Sequence, residues 1–96
     1  MSAFHLDPNS SARERHLRLS GEVTIEHARD LHAALVTAVA KDITLHIDAG
    51  AVSRIDAAVL QVLLAADRAA ARTEISAASA AWTHALQRFG FTDLKN

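Results

Sequence analysis

Six histidines, at positions 5, 16, 27, 32, 46 and 84, are the residues of this chain best suited to chemistry, as metal ligands or as proton donors and acceptors. No two stand four apart, the helical spacing that aims two imidazoles at one ion, and His27 and His32, five apart, diverge around a helix. His16 and His46 can meet across an open sheet face if their segments are neighbouring strands. Solvated surface histidines are nevertheless the expectation, and no metal is assigned. No Gly-x-Ser-x-Gly elbow offers a serine nucleophile. Gly21, Gly50 and Gly90 are too scattered to form a phosphate-cradling loop. Cysteine is absent, which removes disulfides, thiolate zinc sites and thiol nucleophiles together. With no convergent set of groups, the residues point away from an enzyme and call for no cofactor.

Composition narrows the partner class. Ninety-six residues, half of them hydrophobic and 22% charged, predict one folded domain over 1–96 rather than a disordered segment. Ten basic against eleven acidic residues give a formal charge of -1. No net field then draws the protein to nucleic acid or to an anionic membrane. The start, Met1 to Pro8, lacks the basic stretch and apolar run of a secretory signal, which predicts a cytoplasmic location. The longest apolar run, Ala57 to Ala66, is broken by Gln61 and falls short of the roughly 20 residues a membrane-spanning helix requires, so no direct membrane insertion is expected.

The elements follow from periodicity. Apolar residues alternate in Arg15 to Leu19 and again in Ile43 to Asp48, predicting strands with one buried and one polar face. Such alternation implies helices on one side of the sheet only. A short strand at Phe4 to Leu6 pairs with Arg15 to Leu19 across a loop carrying Pro8, Asn9, Ser10 and Ser11. Ile25, Ala28, Leu31, Leu35 and Val39 predict an amphipathic helix over 25–40 with Thr24 as its cap, the chain breaking from strand to helix at Gly21. Asp56 caps a second helix, with Val59, Leu60, Leu63, Leu64 and Ala71 as its apolar side. Thr73 to Ser76 reads as a short strand. Ser79 caps a third helix, with Trp82, Leu86 and Phe89 inward and Gly90 as its stop. The fold class is α/β, of the two-layer α+β kind: a mixed β-sheet with helices packed on one face, in the order β-β-α-β-α-β-α.

Leu19-Ser20-Gly21-Glu22-Val23-Thr24, and Ile47 to Leu60 as a strand, loop and acid-capped helix, resemble the STAS domain family (sulfate transporter and anti-sigma factor antagonist). The Ser79 to Gly90 segment ending Leu86-Gln87-Arg88-Phe89 is similar to the family's closing helix. The likeness covers nearly the whole chain and fits a small stand-alone bacterial member. The connection from Arg72 to Ser79 is shorter than the family's, which predicts a last strand that is stunted or at an edge.

The resemblance implies a non-enzymatic regulator that binds another protein, in many cases a switch kinase restraining a sigma factor. Phosphorylation of a Ser or Thr at the start of the second helix turns such proteins off. Here Ala57 and Ala58 occupy the hydroxyl positions and Val59 replaces the usual glycine, so the family's acceptor is missing. Ser53, expected in the preceding loop, reads as a turn residue rather than an acceptor. The implied partner-binding residues are Ser53, Arg54, Asp56, Ala57, Ala58 and Gln61. The implied partners are an anti-sigma factor or kinase, a chemotaxis component, or the ATPase of a bacterial phospholipid transporter, whose STAS accessory subunit resembles Val52 to Asp56. Nucleotide binding, a property of some members, finds no glycine-rich loop or basic cluster here.

Overall fold

The computed structural model describes residues 3–7, 12–91 and 94. Four strands and three helices alternate as β1 (Phe4–Leu6), β2 (Glu14–Val23), α1 (Ile25–Ala38), β3 (Thr44–Ile55), α2 (Ala57–Ala69), β4 (Arg72–Ala78) and α3 (Ala80–Phe89). The sheet order is β1-β2-β3-β4, with β1 antiparallel to β2 and the other neighbours parallel. Both parallel connections step in the same direction. Because such crossovers are right-handed, α1 and α2 fall on one face of the sheet and leave the other open. This is the mixed, two-layer arrangement with helices on one face that the alternating strands predict, and β4 is an edge strand of seven residues rather than a stunted one. The proposed turn at Pro8 to Ser11 lies outside the described residues.

The core joins sheet and helices. Leu17, Leu19, Leu45 and Ile47 point from the two central strands into one cluster with Leu31, Leu60 and Trp82 from the helices. Ser79 caps α3 through its Oγ, which accepts from the Trp82 N–H at 3.1 Å, and Gly90 ends the helix in the left-handed region at φ 77°. Thr24 caps α1 by another route: its own N–H donates to Nδ1 of His27 at 3.0 Å, the returning half of a capping box.

Four sequence expectations are corrected. β2 does not break at Gly21 but runs on to Val23, Gly21 taking φ 66° inside the strand where the register slips. β3 does not end at Asp48, and what reads as a loop is its second half. Ile25 is 67% and Phe89 40% exposed, so neither belongs to the inner face of its helix. Ala71 lies beyond α2, and Ala66 takes the core position instead.

Candidate functional site

The far end of β3 is shaped by two extra residues. Between the pairs Arg18↔Asp48 and Ser20↔Ala51, and again between Gly21↔Val52 and Glu22↔Arg54, β3 advances one residue more than β2. Each bulge shifts the inward-facing position by one, so burial falls on Ala49, Val52 and Ile55 at steps of three. Ser53 and Arg54 are thereby both turned outward. Ser53 is therefore a residue of an exposed bulged strand and not of a turn.

Asp56 follows as the cap residue of α2, but its carboxylate makes no bond to that helix. Oδ2 accepts from the N–H of Ile25 at 2.9 Å, satisfying a free donor at the start of α1. Oδ1 lies 4.0 Å from Nε of Arg54, and the Asp56 N–H donates to the Val23 carbonyl at 3.1 Å. One carboxylate thus ties together the starts of two helices, where the helix dipole favours an anion. Asp56→Ala is expected to cost about 1–2 kcal/mol in chemical denaturation, whereas Asp56→Asn, whose amide oxygen still accepts, should cost less. Equal and negligible losses would contradict the tie.

The six residues expected to bind a partner, Ser53, Arg54, Asp56, Ala57, Ala58 and Gln61, are contiguous at this end of the molecule. Ser53, Arg54 and Asp56 also line a cleft of about 680 Å³ whose opposite wall is α3, through His84, Gln87, Arg88 and Phe89. Arg88 stacks its guanidinium 5.6 Å above the Phe89 ring. These α3 residues, and Ile25, were not among the expected site residues. Of these only Ile25 and Phe89 carry a sequence signal, as apolar residues at the ends of helical stripes, and periodicity assigns both to the core. No helix among the described residues is long and apolar enough to cross a membrane.

The open sheet face holds a second polar cluster. His16 and His46 are register partners on β2 and β3, their rings stacked 4.5 Å apart and 7° from parallel. The meeting left open by the sequence therefore takes place, with Glu14 beside both rings.

Comparison with known proteins places the fold. The family model described as Mlab, STAS domain, matches residues 6–95. The unphosphorylated anti-sigma factor antagonist SpoIIAA superposes with a TM-score of 0.81 at 20% identity, covering 98% of this chain and 86% of that one. An anti-sigma factor antagonist from Mycobacterium paratuberculosis gives 0.76 at 20% identity, covering 96% and 82%. No curated protein matches.

Proposed function

The chain belongs to the STAS domain family, and on that premise we propose that it is a non-enzymatic regulatory module that docks a signalling partner on the bulged end of β3 and the start of α2. The partner class is an anti-sigma factor or switch kinase, or the kinase apparatus of a chemotaxis system. The main support is the placement of exposed apolar residues. Three large hydrophobic side chains are exposed among the described residues, and two of them flank Asp56. The backbone of Ile25 is bonded to the Asp56 carboxylate, and Phe89 lines the same cleft. Apolar anchors with a polar rim of Ser53, Arg54 and Gln61 are the usual anatomy of a protein interface. Ala57 and Ala58 permit close approach between them.

Regulation at this face differs from the family's phosphorylation switch, because neither alanine accepts phosphate. That lack, and the likeness of Val52 to Asp56 to a phospholipid-transporter accessory subunit, favour a second reading in which the same face docks on a transporter ATPase. Capture of partners from the native lysate separates the two. Recovery of a kinase or anti-sigma factor supports the first reading, and recovery of an ABC ATPase replaces it with the second. When the chain is incubated with ATP and a captured kinase, mass spectrometry should find residues 53–61 unmodified. Stoichiometric phosphate on Ser53 would mean that the acceptor has moved onto the bulged strand.

A further inference from the structure

We propose that the open face of the sheet carries a binding site for a first-row divalent transition cation, built from Glu14, His16 and His46 and oriented by Glu74. The three ligand atoms converge: Oε1 of Glu14 lies 3.1 Å from Nε2 of His46 and 3.7 Å from Nε2 of His16. One ligand atom from each of the three residues lies within 4.8 Å of the other two. Tetrahedral coordination at about 2.0–2.1 Å requires donors roughly 3.3 Å apart, a spacing those two distances bracket. The imidazoles come from adjacent strands in register, with hydrogen-bonded backbones that fix the separation of their Cβ atoms. The broad final torsion of histidine then lets each ring swing its lone pair onto a shared ion.

The surroundings fit a ligand set better than a chance meeting of surface charges. His46 uses Nε2 toward Glu14, while its Nδ1 faces Oε1 of Glu74 at 3.5 Å. Arg72 holds the other Glu74 oxygen at 3.0 Å, which keeps Oε1 turned to the ring. A carboxylate behind a ligating histidine is the common outer partner that fixes the tautomer and raises ligand basicity. Two imidazoles and one carboxylate suit Zn²⁺ and its neighbours, whereas Mg²⁺ and Ca²⁺ favour all-oxygen sets. Three protein ligands leave a fourth position open to water or an incoming donor. Glu14 and His46 lie near the beginnings of their strands, at the opposite end of β3 from the proposed docking face, so the two assignments stand or fall separately.

The test is calorimetric titration of the 96-residue chain with Zn²⁺. One saturable Zn²⁺ per chain is expected, with no binding of Mg²⁺, and Co²⁺ should develop the intense visible bands of a low-coordinate site. H16Q and H46Q should each abolish saturable binding, and E74Q should weaken it by about 10–100-fold. His16 is half-exposed on an open face, so H16Q keeps the test valid should H46Q fail to fold. Absence of saturable binding by the wild type overturns the site. So does undiminished binding by H16Q and H46Q, which would place the ion on other histidines. Unchanged affinity in E74Q overturns the orienting role of Glu74.

Discussion

Leu45→Asp is expected to unfold most of the protein at room temperature. Leu45 has no exposed surface, and it sits on β3 between β2 and β4, facing the helices. The substitution removes roughly 2–3 kcal/mol of apolar burial and places a carboxylate in a core where no charged residue is buried among the described residues. The sum, several kcal/mol, is comparable with the whole stability of a domain this small. Urea denaturation followed through Trp82 reads the effect, since that single tryptophan is 1% exposed and its emission shifts to the red when the core opens. His16→Gln, on the opposite face of the neighbouring strand, should change stability by no more than about 0.5 kcal/mol. Equal destabilisation by the two would mean that the sheet does not have one buried and one open face. His46→Asp on the same open face should cost more than His16→Gln, because it would set a third carboxylate between Glu14 and Glu74.

What the sequence makes legible is the part of the fold in which local periodicity and tertiary packing agree. Leu17, Leu19, Leu45 and Ile47 alternate because a strand covered on one side must alternate. Ser79 and Gly90 mark a helix because capping is local chemistry. Legibility ends where a tertiary feature alters the period. From Ala49 the buried positions of β3 step by three, because each bulge adds a residue, and a strand with that spacing has the pattern of neither a strand nor a helix. Bulges arise from pairing with β2, so no local signal in residues 49–55 announces them.

The site shows the same division. The six residues that the family resemblance implies for partner binding lie together at one end of the molecule. Ile25 and Phe89 were assigned to the core, since periodicity identifies a face but not how far the opposing layer reaches. Both lie in terminal turns of their helices, beyond that layer. Asp56 was expected to cap its own helix, but its bond goes to a residue 31 positions earlier in the chain. The histidine pair is visible as a condition on strand order, and only the β2–β3 and β3–β4 registers supply Glu14 and Glu74 beside it.

The functional proposal turns on Ala58. It lies in the first turn of α2, which has no acidic residue, between the exposed Gln61 and the Asp56 tie. A glutamate there meets the positive end of the helix dipole, so the free protein should keep its stability or gain slightly. A docked partner must desolvate that charge and accommodate its bulk against a surface shaped for a methyl group. The expected loss of affinity is about 1–3 kcal/mol, or roughly 5-fold to 150-fold in Kd. Few substitutions separate binding from folding so sharply, because the same charge is tolerated by the helix and resisted by the interface.

The most direct test of the docking face is therefore titration calorimetry of the captured partner against wild type, Ala58→Glu and His16→Gln, with the melting temperature of each measured alongside. Docking at the start of α2 predicts weaker binding for Ala58→Glu alone, with all three proteins melting at nearly the same temperature. Undiminished affinity of Ala58→Glu, or a loss confined to His16→Gln, would move the interface to the open face of the sheet and contradict the proposal.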